Sequence, residues 1–215
     1  MPKISENVSG AENQQETKLR RRVGGVGSSE TTRETPLTKE EIVAYLNGAA
    51  HDASLNKRKR IRFAQKHKEW LEVIRVLLYR LGSRGWIYKE GKSREVYVLE
   101  TLNREISFSF NPLRASTAEK VAYLRGFFDA EGGVPHNSGP FYIQLVQKNR
   151  MKILMIKRTL QEMGISTGKV HNPSARVDPY YWRIFVSKKS HLLFAETIGS
   201  WHPIKQRIFR ERMKI

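Results

Sequence analysis

Hydrophobic and polar positions along the chain form a pattern that occurs twice. In Leu37 to Gly48 (LTKEEIVAYLNG) and in Ser116 to Gly126 (STAEKVAYLRG), apolar residues recur at helical spacing. Each run opens with a capping box, Thr38 with Glu41 and Ser116 with Glu119. Ala44, Tyr45, Leu46 and Gly48 return as Ala122, Tyr123, Leu124 and Gly126, 78 residues later. IRFAQK (Ile61 to Lys66) returns as IQLVQK (Ile143 to Lys148), 82 residues later, so the first copy is four residues shorter in between. The helical patterns WLEVIRVLLYRLG and ILMIKRTLQEMG follow, stopped by Gly82 and Gly164. FNPLR (Phe110 to Arg114) and WHPIK (Trp201 to Lys205) close the two copies. Alternating stretches between these anchors predict strands: KRIRFAQK, GWIYKE and REVYVLET, then FYIQLVQK, GKVHN and YYWRIFVSK. The expected class is α+β, with one unit over 37–115 and a second over 116–215. Residues 1–36 lack periodicity and are rich in Glu, Ser, Thr and Gly, a composition that predicts a disordered tail.

Charge narrows the class of partner. The 215 residues include 39 Lys plus Arg against 21 Asp plus Glu, a net +18 with His neutral. That excess points to a polyanion, and nucleic acid is expected over a membrane because no apolar run approaches the ~20 residues a membrane helix needs. KLRRRVGG (Lys18 to Gly25) reads either as a basic arm or as solvated tail. The chain has no cysteine, which excludes disulfides and thiolate zinc sites and accords with an intracellular setting. On the strands, one parity is apolar while the other carries Arg60, Arg62 and Lys66, or Tyr142, Gln144 and Lys148, with Arg183 on the last strand. Such a face suits phosphate contacts and base-edge readout in a DNA groove.

The stretch VAYLRGFFDAEGG (Val121 to Gly133) ends an apolar helix on Asp129 and Glu131. Gly126 and Ala130 share a face with Tyr123, where a second helix can approach closely, and Gly48 with Ala49 offers the same in the first copy. Carboxylates at helix C-termini are disfavoured, and a divalent cation would explain them: carboxylate, water and phosphate oxygens make the octahedral set that Mg²⁺ prefers. Gly132 and Gly133 are expected to let the chain turn sharply into a strand.

LRGFFDAEG (Leu124 to Gly132) resembles the signature of the LAGLIDADG homing endonucleases, with Leu124, Gly126, Asp129, Ala130 and Gly132 matching and Glu131 at the eighth position, where the family carries its metal-binding acid. Over roughly 37–210, the resemblance implies two pseudosymmetric αββαββα units forming a saddle of antiparallel sheets over DNA, with the motif helices at the centre. It implies a monomeric, Mg²⁺-dependent DNA endonuclease, with Mn²⁺ able to substitute, cutting both strands of a double-stranded target. The first copy, LNGAAHDAS, departs from the signature: strict counting puts Ala53 at the eighth position and Asp52 at the seventh. Asp52 is taken as the second metal ligand on the view that this helix ends one residue early. By the same resemblance Gln65, Gln147, Arg114 and Lys205 organise solvent and charge near the scissile phosphates, and Asp129 has a structural role.

A different class of function stays open beside this one: a nicking or non-cleaving nucleic-acid-binding protein, such as an RNA maturase acting on host intron RNA. A histidine-metal nuclease built on His136-Asn137 or His171-Asn172 lacks a third ligand. The sequence leaves the target site and the intron or intein origin unspecified.

Overall fold

The computed structural model describes residues 36–56, 59–91 and 95–213. The expected tail and its KLRRRVGG arm lie outside the described residues. The first half runs α1 (Lys39–Ala49), a 3-10 turn (Ala50–Asp52), β1 (Ala53–Leu55), β2 (Ile61–Gln65), α2 (Lys68–Arg80), β3 (Gly85–Glu90), β4 (Val96–Thr101) and a second 3-10 turn (Pro112–Arg114). The second half runs α3 (Thr117–Glu131), β5 (Gly132–Gly133), β6 (Gln144–Gln147), α4 (Arg150–Glu162), β7 (Trp182–Phe185), α5 (His191–Thr197) and α6 (Pro203–Met213). Two antiparallel sheets result, in the orders β1-β2-β4-β3 and β5-β6-β7. No helix among the described residues is long and apolar enough to cross a membrane.

Both capping boxes form: Thr38 Oγ1 accepts from the Glu41 N–H at 3.2 Å, and Ser116 Oγ from the Glu119 N–H at 3.3 Å. They set the starts of α1 and α3, which cross at the centre of the molecule. The crossing is close because each helix meets a glycine. A Cβ on Gly48 would fall onto the carbonyl oxygen of Tyr123 and lie 2.7 Å from the Phe127 nitrogen. A Cβ on Gly126 would fall onto the carbonyl oxygen of Tyr45 and lie 2.9 Å from the Ala49 nitrogen. The contacts are reciprocal, residue for residue, which is the signature of a two-fold relation between the copies. Ala44, Tyr45, Leu46, Ala49, Leu124, Phe127 and Phe128 are fully buried around them.

α2 and α4 cover the inner sheet faces with Trp70, Leu71, Ile74 and Leu78, and with Ile153, Ile156 and Leu160. They stop at Gly82 and Gly164, with φ of 69° and 75°, a left-handed conformation that glycine adopts without strain.

The structure corrects one expected strand and adds detail at two other places. GKVHN does not form a strand; the chain around it meets β7 and its flank through the isolated bridges Thr167 with Val186 and His171 with Arg183 and a bond from the Gly168 N–H to the Phe185 carbonyl at 2.9 Å. Between these bridges three residues on one side oppose two on the other, so a bulge breaks the ladder. The chain does pass from α3 straight into β5 at Gly132 and Gly133, but with an ordinary φ of −85° at Gly132, where glycine is required because a Cβ would strike Phe128. The αββαββα unit calls for a first strand and a closing helix, but no segment of the local pattern was named for β1, α5 or α6. β1 is too short for its alternation to register, whereas α5 and α6 lie in the segment after YYWRIFVSK, whose only anchor was WHPIK.

Candidate functional site

The ends of α1 and α3 decide which acids meet. Strand register answers the question raised by residue counting. Gly132 pairs with Leu145 in the second sheet, and Ala53 pairs with Phe63 in the first. Phe63 and Leu145 are counterparts in the repeated strand, so Ala53 corresponds to Gly132 and the preceding residue, Asp52, to Glu131. The missing residue is absorbed by the winding. α3 stays α-helical to Glu131, whereas the first copy passes into a 3-10 turn at Ala50. Three residues at about 2.0 Å rise climb as far as four at about 1.5 Å, which brings Asp52 to the height of Glu131.

The two carboxyl groups feel each other. Desolvation, followed by the charge of Asp52, pushes Glu131 up to about 7, against the opposing charges of Lys148 and Lys205. Although Asp52 keeps an exposed edge, desolvation pushes it up to about 6, against a hydrogen bond from Gln65 and the charge of Lys205. Gln65 Nε2 donates to Asp52 Oδ2 at 2.5 Å. Lys205, in the first turn of α6, donates its Nζ to the carbonyl oxygens of Phe128 at 2.5 Å and Asp129 at 2.8 Å. Those carbonyls lie at the C-terminus of α3, the negative end of its dipole. Desolvation lowers Lys205 to about 8, while Asp129, Asp52 and Glu131 act to raise it. One ammonium therefore serves both acids.

Asp129 belongs to the fold beneath the site. It is buried and accepts from the Tyr45 hydroxyl at 2.7 Å, the Trp201 N–H at 2.9 Å and the Ser200 hydroxyl. Burial raises its pKa, with Lys205 and these donors opposing. Asp129→Ala is expected to cost about 3 kcal/mol, because three buried donors lose their acceptor together. A chemical-denaturation midpoint at neutral pH measures it; a wild-type midpoint would remove Asp129 from the core network.

The copies differ around the two interface tyrosines. Tyr45 is sealed by Trp201, ring centroids 4.5 Å apart, and by Trp70, whose Nε1 donates to its hydroxyl at 3.0 Å. Tyr123 stacks on Phe110 at 5.1 Å, and its hydroxyl meets His51 Nε2 at 2.7 Å. The counterpart of Trp70 is Lys152, and a cavity of about 240 Å³ opens there, lined by His51, Phe110, Tyr123, Gln147 and Lys152 among others. Desolvation, then the Lys152 charge, lowers His51 to about 4.

Of the residues named from sequence, Asp52, Glu131, Gln65, Lys205 and Lys148 are brought to one locus. Gln147 is turned aside: its Oε1 accepts from the Lys148 and Asn149 backbone at 2.8 and 3.3 Å, and its Nε2 meets His51 Nδ1 at 3.0 Å. Arg114 is not brought in. It is exposed on a three-residue turn, whereas its counterpart Lys205 rides a long helix, and it is not among the charges acting on either acid.

The outer sheet faces also differ from a plain basic surface. Arg60 and Arg62 are paired with Glu100 at 2.9 and 3.2 Å, and Arg62 with Glu90 at 2.6 Å. Much of that positive charge is thus neutralised within the sheet by Glu100, which register sets opposite Arg62. Lys66 lies just beyond β2 and is exposed. On the second sheet, Gln144 lies against Gly133, Tyr142 packs its ring on Phe185, and Arg183 lies over the rings of Tyr181 at 5.2 Å and Phe185 at 5.5 Å. Trp86 and Tyr88, exposed on β3, join the first outer face without having been singled out in sequence; GWIYKE carried them in its polar parity.

The donor set suits an oxygen-loving divalent cation: two carboxylates raised by desolvation, Glu131 further by the charge of Asp52, and no sulfur. Among the described residues no three His, Asp or Glu side chains converge as a complete metal cage, so further ligands would come from water, backbone or phosphate.

Homing endonuclease I-ApeI from Aeropyrum pernix is 25% identical over 192 residues, covering 78% of this chain and 85% of that protein. Among solved structures, I-DmoI in complex with DNA and Mn superposes with a TM-score of 0.57 at 18% identity, covering 75% of this chain and 98% of that one. The N-terminal LAGLIDADG domain of DUF199/WhiA reaches 0.62 at 16% identity, covering 93% and 96%. These likenesses establish the fold. The LAGLIDADG-like domain matches twice, over residues 40–111 and 118–199, and so accounts for both copies of the repeated pattern and for the helix pair between them. The chain belongs to the LAGLIDADG family, as a single-chain member with two motifs.

Proposed function

We propose that this protein is a monomeric, intracellular, site-specific DNA endonuclease that hydrolyses one phosphodiester bond in each strand of a double-stranded target, with divalent ions, Mg²⁺ foremost, held by Asp52 and Glu131. The observation that supports this most is the pairing of those two acids at matching heights on adjacent helix ends, desolvated and mutually repelling, in a chain of net +18. A protein that only bound DNA would gain nothing from two acids beside phosphates. I-ApeI bears the name of a homing endonuclease, and I-DmoI has been solved with DNA together with Mn and with Ca.

A bound divalent ion would supply Lewis-acid stabilisation of charge on the phosphate oxygens. Gln65 holds the Asp52 carboxylate in orientation, leaving its other amide valences for solvent. Lys205 offsets the repulsion between the acids, and Lys148 adds positive charge on the Glu131 side. Tyr142, Gln144 and Arg183 on one outer face, with Trp86 and Tyr88 on the other, would contact the duplex.

The test is a plasmid carrying the uninterrupted host allele, incubated with protein and Mg²⁺. Wild type is expected to linearise it, and Asp52→Ala to lower cleavage at least about 100-fold with DNA binding retained. Undiminished double-strand cleavage by Asp52→Ala would overturn the role of that residue. A wild type that binds the site but cuts it with neither Mg²⁺ nor Mn²⁺ would favour the binding or maturase reading.

A further inference from the structure

The repeat makes Gln147 the counterpart of Gln65, each closing the equivalent strand, as it makes Glu131 the counterpart of Asp52. Their side chains behave differently. Gln65 Nε2 donates to Asp52 at 2.5 Å, whereas Gln147 Nε2 lies 3.0 Å from His51 Nδ1, in the other half of the molecule. The amide orientation is settled by its oxygen, which accepts from the Lys148 and Asn149 N–H groups, so the nitrogen must be the donor to His51. His51 Nδ1 then accepts, and its protonated Nε2 points to the Tyr123 oxygen at 2.7 Å. Gln147 and His51 both line the cavity of about 240 Å³.

We infer that His51 is a positioning residue that holds Gln147 away from Glu131, so that the two halves present unequal carboxylates, one with an amide donor and one without. The basis is the cross-half bond from the end of the first motif to the end of β6, at the one place where the first half sends the equivalent amide to its acid. The functional consequence rests on the endonuclease reading given above: the two strands are cut at unequal rates, and His51 maintains part of that inequality.

The experiment measures nicking of each strand on duplexes labelled separately at each end, with the full chain and Mg²⁺. It is paired with nitrogen-resolved NMR of the Gln65 and Gln147 side-chain amides in metal-free protein. His51→Ala frees Gln147 to reach Glu131, and the ratio of the two strand rates is expected to move toward one by about fivefold, the size of one hydrogen bond. The Gln147 amide signal moves while that of Gln65 stays. His51→Asn puts an acceptor oxygen where Nδ1 was and is expected to restore both the wild-type ratio and the Gln147 signal, with DNA affinity unchanged throughout. Equal slowing of both strands in His51→Ala, with a lower melting midpoint and no change in ratio, would mean a structural role only and overturn the inference. If wild type cuts neither strand, the endonuclease reading fails by itself. The positioning role is then decided by the Gln147 signal, and a signal unmoved in His51→Ala overturns it.

Discussion

Gly126→Ala is expected to lower stability by about 3 kcal/mol, a large share of the roughly 5–15 kcal/mol that holds a domain folded. A methyl group there would land on the Tyr45 carbonyl oxygen and lie 2.9 Å from the Ala49 nitrogen. Both obstacles are backbone, so no side-chain rotation relieves them; α1 and α3 would have to separate, and the packing of Tyr45, Leu46, Leu124 and Phe127 would go with them. The reciprocal contact predicts the same loss for Gly48→Ala. Gly168→Ala is the control. Its added carbon would meet nothing closer than the Phe185 carbonyl at 3.8 Å, and a change within about 0.5 kcal/mol is expected. Urea midpoints of the three variants measure this, and a Gly126→Ala midpoint equal to that of Gly168→Ala would show that the helices do not touch there.

Glu131→Gln is expected to abolish metal-dependent cleavage, by at least about 100-fold, while making the metal-free protein more stable at neutral and alkaline pH. The carboxyl stands at about 7 in the folded protein against an ordinary 4.5. A carboxyl raised on folding stabilises fully below its unfolded pKa, and that contribution is lost as pH rises through the folded value. Wild type therefore loses stability relative to the amide variant between about pH 4.5 and pH 7, reaching about 1–2 kcal/mol once the partial exposure of Glu131 is allowed for. Thermal melts in chelator near pH 5 and near pH 8 would reveal the crossover, and added Mg²⁺ would reverse it, because a ligand stabilises only the form that binds it. A difference independent of pH would contradict the assignment of the raised carboxyl.

The repeat was the most legible feature of the sequence, because capping boxes, glycine stops and the AYLxG core are local signals with a definite physical cause. They located α1, α3, α2 and α4 and the glycine crossing. The polar network was less legible. The charges of Arg60 and Arg62 look free in one strand and are met by Glu100 and Glu90 from two others, a pairing that only register discloses. The position of Asp52 depends on a change of helical winding that residue counting cannot see. His51 was hidden for the same reason: its partners Gln147 and Tyr123 come from the other copy. Arg114 and Lys205 match in sequence, yet a three-residue turn and an eleven-residue helix give them different reach.

The order in which the chain is made gives Lys205 one more consequence. The two acids and Gln65 exist as soon as residue 131 has been synthesised, but the ammonium they share arrives only with α6. At the ~5–20 residues per second of translation, that leaves an interval of seconds in which a nascent chain has both acids and no common counter-charge. On the proposed reading, such a chain lacks the charge that offsets the repulsion between its two acids until α6 has been made.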